Sequence, residues 1–237
     1  MRDDLDLEPI QEKENMQRAE RGGADQVAPE ISSAYPIPLH MVEGVQRTVA
    51  DIAAPGARWS GAERIDIARI GRAAKAGEQR PDHSVADEVA RMAETIASHA
   101  HQITQAVVDG FVQAVGKGPE AFVEIVGVVA RVAAIDTFMT GIGSALLPFP
   151  EPSAEPATGI INARARKRAA FVPMDGPAGA TTALSSIAGE DRAQEELHGS
   201  LYLRYSEMGD DRIHKGLPRW QLEVIAARTS LINECFY

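Results

Sequence analysis

Apolar residues recur at helical spacing along most of the chain, starting close to residue 39. The first such stretch covers residues 40–53, and its apolar positions are Met41, Val42, Val45, Val49 and Ile52. Steps of three or four residues place side chains on one face of a helix, so this pattern predicts an amphipathic helix. Ser60 and Glu63 have the spacing of a capping box, which predicts a second helix over residues 61–76.

Four more helices are predicted further along the chain. Ser84 with Asp87 has the pattern of a helix cap and predicts a helix that reaches about residue 116. Pro119 suits the first turn of the next helix, which is apolar on nearly every face and is therefore expected at the centre of the core. The last two are expected over residues 190–208 and 218–233. No alternation of period two persists, so the predicted fold class is all-α, a helical bundle.

The chain divides into four stretches of different composition. Residues 1–35 form a polar leader that we expect to be disordered, because residues 1–30 contain nine acidic and four basic side chains and few apolar ones. Residues 36–147 hold the first group of helices. Residues 148–182 are a linker and loop with four prolines between 148 and 156, which favour an extended backbone. Residues 183–237 hold the last two helices.

Charge and cysteine content exclude several classes of protein. The net charge of −10 argues against a general nucleic-acid binder, since phosphate neutralisation needs clustered Lys and Arg. Cys235 is the single cysteine, so no internal disulfide can form and a reducing, cytoplasmic location is expected. The charged N-terminus lacks the apolar segment of a secretory signal. No cofactor or metal site is expected.

The longest apolar stretch, residues 121–147, contains the charged residues Glu124, Arg131 and Asp136. Each charge near the middle of a bilayer would cost about 2.5–3.5 kcal/mol, so we expect a buried core helix and no membrane partner. Glu124 and Arg131 are seven residues apart and share a helix face, which favours a structural ion pair between them.

Two other polar groups have weaker functional interpretations. His99 and His101 are two positions apart on a predicted helix and point in different directions, so a shared metal ion is not expected. The basic run at residues 164–168 could contact an anionic partner, although a short basic loop is more often simply solvated.

The two halves of the chain show a weak internal repeat. Trp59 and Glu63 open one predicted helix, and Trp220 and Glu223 open another. Aligning the two glutamates places Lys75 opposite Cys235. On this alignment the second repeat, which begins in residues 183–237, would lack roughly 70–80 residues that correspond to the later helices of the first.

The spacing of Glu223 and Cys235 is similar to an active-site signature. Glu-x11-Cys, followed by x-x-Cys-x3-His, resembles the motif of the alkyl hydroperoxidase D and carboxymuconolactone decarboxylase superfamily. Residues 225–237 resemble the same motif region, and further stretches look like a two-repeat branch of these proteins: residues 63–69, 122–130 with 135–138, and 171–174. The resemblance implies a helical bundle of the alkyl hydroperoxidase D type, built from two degenerate repeats.

The resemblance also implies roles for residues. Glu223 matches a relay acid and Cys235 the thiol that resolves a sulfenate, while the peroxidatic residue would be at position 238 and a relay histidine at 242. A UGA codon read as selenocysteine at position 238 is one explanation, and a frameshift, pseudogene or truncation is the other. A further interpretation makes Cys235 only a small apolar residue near a frayed terminus.

The expected activity is reduction of a hydroperoxide substrate through a Cys or Cys/selenocysteine pair, with electrons from an external dithiol reductant. We expect the 237-residue form itself to be inactive. Two alternatives are a carboxymuconolactone decarboxylase-like enzyme and a helical dimerisation module without activity. The last helix should expose apolar surface, so we expect a homo-oligomer.

Overall fold

The computed structural model describes residues 31, 33 and 36–232, and its secondary structure is predominantly helical. Seven α-helices lie in the described part of the chain: α1 Leu39–Ala53, α2 Gly61–Ala76, α3 Asp87–Ser98, α4 Gln105–Val115, α5 Pro119–Gly141, α6 Ala188–Leu201 and α7 Arg219–Ile232. One short antiparallel ribbon, β1 Arg166–Lys167 with β2 Pro173–Met174, pairs Arg166 with Met174. The all-α prediction is confirmed; the bundle type and the repeats stay predictions.

Helix α5 lies at the centre of the core, as its apolar sequence predicts. It packs against α1, α2, α3, α4 and α6. One cluster of buried side chains joins it to α2, α3 and α4, and includes Ile67, Ala90 and Val128. A second cluster joins α5 to α1 and α6 through Met139, Val45 and Leu197. Because α5 contacts neighbours on nearly every side, apolar residues are needed all round it.

Local capping signals set several helix ends. The Ser60 hydroxyl accepts the backbone N–H of Glu63, whose carboxylate accepts the N–H of Ser60, so the predicted capping box is confirmed. Gly77 ends α2 with φ of 70°, a left-handed conformation that glycine adopts without a steric penalty. Pro119 occupies the first turn of α5, also as predicted.

The predicted helix over residues 84–116 is wrong, because two helices occupy that region. Ser84 does not cap a helix: its N–H and hydroxyl both donate to Asp66, each at 2.7 Å. Helix α3 ends at Ser98, and the Thr104 hydroxyl caps α4 by accepting the N–H of Val107. The hydroxyl of Ser98 donates to the carbonyl of Glu94, a local bond that competes with continued helix.

The proline-rich segment has neither helix nor strand and packs on the helices. Ser153 donates its N–H to the carbonyl of Ala53 at 2.9 Å, and Thr158 donates to the carbonyl of Gly56 at 2.8 Å. Leu147 is buried, and the Arg72 guanidinium lies 4.0 Å from the centre of the Phe149 ring. The segment has no assigned helix or strand, and the extended backbone expected from its prolines stays a prediction.

Candidate functional site

Glu223, the predicted relay acid, lies on α7 with its side chain half exposed. One carboxylate oxygen, Oε1, accepts two hydrogen bonds: from Nε of Arg219 at 2.6 Å and from the hydroxyl of Tyr202 at 3.1 Å. The hydrogen bond from Arg219, and then that from Tyr202, hold the pKa of Glu223 below its ordinary value. Glu223 is therefore a carboxylate at neutral pH, and Oε2 has no hydrogen-bond partner among the described residues.

Arg219 is itself held by backbone carbonyls, which fix the position of its guanidinium. Its terminal nitrogens donate to the carbonyls of Glu207, Met208 and Asp210 at 3.3, 2.9 and 3.2 Å. These carbonyls belong to the turn that precedes α7, so that turn and the helix are joined through one side chain. The arginine four residues before Glu223 was readable from the sequence as an i, i+4 pair.

Aromatic side chains from the end of α6 extend the site. The Tyr202 ring lies 5.5 Å from the His198 ring in an edge-on arrangement, and the Tyr205 ring lies 5.2 Å from it. Burial, the hydrogen bond to Glu223 and the charge of Glu223 raise the pKa of Tyr202, so its hydroxyl stays protonated and donates. Tyr202 was not predicted as a site residue, because nothing in the spacing of residues 202 and 223 indicates their contact.

Cys235, the predicted resolving thiol, lies outside the described residues. Helix α7 is described to Ile232, and none of its described residues is buried. The structure therefore describes the acid of the predicted pair and its partners, and the geometry between Glu223 and Cys235 stays a prediction.

The largest group of buried charges lies elsewhere, between α1, α2, α5 and α6. Arg64 binds Glu124 at 2.8 Å and Glu190 at 2.5 Å, and Arg131 binds Glu190 at 2.6 Å. Asp51, which is partly exposed, accepts from both arginines. The predicted pair between Glu124 and Arg131 is wrong: both are in ion pairs, but each with partners from other helices.

This network contains three carboxylates and two guanidinium groups. Burial raises the pKa of Glu124, with the charge of Arg64 opposing it. Burial alone would lower the pKa of Arg64, but the charges of Glu190, Glu124 and Asp51 raise it above its ordinary value. Apart from the partly exposed Asp51 the network is buried, and its arrangement favours a structural role in joining four helices.

The weaker candidate residues do not have the geometry of a catalytic site. His99 and His101 lie at the break between α3 and α4, with ring centres 6.2 Å apart. In the part of the chain that the structure describes, no three His, Cys, Asp or Glu side chains are grouped as a metal ion would require. Likewise, no helix in that part combines the length and apolarity needed to cross a bilayer.

Comparison with known proteins gives no assignment. No model of a protein family matches the chain, and neither a curated protein nor a solved structure matches it. The functional argument therefore depends on the residues and their geometry.

Proposed function

We propose that this chain is an alkylhydroperoxidase-like protein of the two-repeat type, and that its chemistry is reduction of a hydroperoxide through Cys235. The observation that supports the proposal is the environment of Glu223. Arg219 and Tyr202 hold Glu223 as a carboxylate, and its Oε2 has no hydrogen-bond partner among the described residues, so it can accept a hydrogen bond from a neighbouring relay group and stabilise that group when it carries a proton.

The arrangement of helices is compatible with the proposed repeats. Helix α2 follows α1 after a short loop that carries Trp59, and α7 follows α6 after a loop that ends next to Trp220. The two helices differ in burial: α2 buries Ile65, Ile67 and Ile70, whereas Val224, Ile225 and Ile232 of α7 are exposed. An α7 that served as the counterpart of α2 would need covering helices against those positions.

The proposed reaction uses two nucleophiles. A thiolate or selenolate attacks the hydroperoxide, releases an alcohol and becomes a sulfenate or selenenate. That group is protonated to the sulfenic or selenenic acid, and the Cys235 thiolate then attacks its sulfur or selenium. Hydroxide leaves and takes a proton to become water, and a disulfide or selenylsulfide forms. An external dithiol reduces this bond and becomes a disulfide itself. Since the 237 residues contain one cysteine, the first nucleophile comes from outside this stretch of sequence.

A peroxidase assay tests the proposal directly. The 237-residue chain and a form extended through the downstream codons are each given cumene hydroperoxide and dithiothreitol. We expect turnover in the extended form only, lost in Cys235→Ser and reduced about 10²-fold or more in Glu223→Gln. Glu196→Gln, on the exposed side of α6, serves as the matched control. Absence of turnover from both forms would overturn the proposal.

A non-catalytic dimerisation module is the second candidate, and one observation favours it. Trp220, Val224 and Leu231 are 66%, 60% and 67% exposed on one stripe of α7, where a partner helix would bury them. Concentration-dependent association with no peroxidase turnover in either form would select this candidate.

A further inference from the structure

An apolar cleft of about 350 Å³ lies between α5 and the hairpin that contains β1 and β2. Its size is within the range of small-molecule pockets, about 300–1,000 Å³. All nine residues that line it are apolar. They include Phe122, Val123 and Val126 of α5 and Ala170, Phe171 and Val172 of the hairpin. A ligand enclosed by these side chains would make no hydrogen bond to them, so the cleft suits a hydrocarbon chain.

The cleft has an open side formed by the hairpin. Phe171 is 45% exposed although it is a large aromatic residue, and Ala169 is exposed beside it. Val172 and Phe122 are buried at the inner end. The lining thus runs from buried aliphatic and aromatic groups to an exposed edge, and a ligand would have one end inside and the other in water.

The open side adjoins the basic run. Arg168 immediately precedes Ala169, and its exposed side chain makes no hydrogen bond or ion pair within the described part of the chain. Arg164 is paired with Asp175 at 2.8 Å, and Lys167 donates to Gln105 at 2.7 Å and to the carbonyl of Phe171. Arg166 donates to the carbonyls of Ala163 and Ala165 at 2.6 and 2.9 Å. The charge of Arg168 acts on Asp175 without a direct ion pair, so Arg168 is the cation of this run whose guanidinium makes no hydrogen bond to a described residue.

The charge at this edge contrasts with that of the whole protein. Four of the five residues from 164 to 168 are basic in a chain of net charge −10. An isolated positive edge beside an apolar cleft matches an amphiphile that has a negative head and a single hydrocarbon tail. The proposed peroxidase chemistry does not use the basic run. Binding of a negatively charged head group would give the run a function.

We propose that the cleft between α5 and the β1–β2 hairpin binds the alkyl tail of a fatty carboxylate, whose head group pairs with Arg168. This binding does not depend on the peroxidase proposal, because it uses neither Glu223 nor Cys235.

Titration calorimetry of the full 237-residue chain with saturated carboxylates tests this site. Hexanoate, octanoate, decanoate and dodecanoate are used below their micelle concentrations. We expect the Kd to fall about threefold to fourfold for each added methylene, until the tail fills the cleft. Binding that is absent at millimolar dodecanoate, or independent of tail length, would overturn the proposal.

Two variants separate the tail from the head group. Val126→Phe fills the cleft and should weaken dodecanoate binding by about tenfold or more, whereas Val224→Phe on α7 should leave it unchanged. Arg168→Gln should weaken dodecanoate severalfold and leave dodecanol binding unchanged, with Arg212→Gln as the matched control. Thermal melting of each variant verifies that it folds.

Other occupants give different results. If phosphatidylserine vesicles bind while dodecanoate does not, the basic edge contacts a membrane surface and the proposed site is wrong. If dodecanoate binds equally well to the wild type and to Val126→Phe, its tail lies elsewhere, and the site is again wrong.

Discussion

At the scale of the residue, two glycines make room for the buried ion network. A Cβ at Gly56 would overlap the Glu124 carboxylate and the Arg64 guanidinium, and one at Gly127 would overlap the Glu190 carboxylate. The backbone can therefore approach these charged groups and bond to them. The N–H of Arg58, two residues after Gly56, donates to Glu124 at 2.7 Å.

Gly56→Ala should therefore destabilise the protein. The added methyl would push Glu124 away from Arg64, and overpacking of this kind costs about 1–3 kcal/mol in free energy of unfolding. Gly110, inside α4, has no atom within 4 Å of the site of a Cβ. Gly110→Ala should stabilise by roughly 0.5–1 kcal/mol, since alanine favours helix. Urea denaturation of both variants measures the change in free energy of unfolding, and equal changes would contradict the two predictions.

Glu124 should also make stability depend on pH. Burial raises its folded-state pKa above the ordinary 4.5, so the folded chain binds this proton more tightly than the unfolded chain does. The free energy of unfolding should fall as the pH rises from about 4.5 through the raised pKa. Denaturation of the wild type and of Glu124→Gln across this pH range tests the direction of the change in free energy of unfolding. The free energy of unfolding of the wild type relative to that of Glu124→Gln should fall as the pH rises, and parallel curves would refute the assignment.

At the scale of the element, α7 differs from every other helix described. It has no buried residue, and its apolar side chains at positions 220, 224, 227 and 231 follow the 4-3-4 spacing of a helix–helix seam. The helix is attached to the rest of the chain mainly by polar contacts, through Arg219 and Glu223. Its stripe is suited to burial against another helix.

We expect the 237-residue chain to self-associate through this stripe. Sedimentation velocity should show oligomers that dissociate when Trp220→Ser and Leu231→Ser are combined, because burial of these side chains is then lost. Leu39→Ser is the control, since Leu39 is 70% exposed at the start of α1. A wild-type chain that is monomeric and unfolds cooperatively would show that the stripe needs no partner.

At the scale of the whole molecule, local signals were readable and contacts between distant residues were not. The Ser60–Glu63 capping box and the central position of α5 follow from short patterns, and both are confirmed. The pairing of Arg64 with Glu190 joins residues 126 positions apart, so no pattern in the sequence could indicate it. The predicted Glu124–Arg131 pair failed for the same reason: a shared face permits contact, but the partner is decided by which helix packs there.

In the candidate site too, a local contact could be predicted from the sequence and a contact between distant residues could not. The i, i+4 contact between Arg219 and Glu223 could be read from the sequence, whereas the contact from Tyr202 depends on how the turn at residues 202–218 returns the chain. The break between α3 and α4 was hidden because the residues around it keep apolar helical spacing. The Thr104 hydroxyl, which caps α4, is the local signal of the new helix.

The backbone bonds of the proline-rich segment have a consequence for protease resistance. Residues 147–162 are tied at successive points to α2, to the loop after α1 and to Ser186, and Gly61 lets the backbone at Ser153 approach within contact distance. A protease needs locally unfolded chain, and the backbone N–H groups of residues 153, 158, 159 and 162 are bonded to other parts of the fold. Proteinase K should therefore cut first in the exposed turn at residues 209–216 and spare residues 148–159, although prolines and small residues make the latter look like a hinge. An early cut there would mean that these bonds open readily, and that the two ends of the chain can separate.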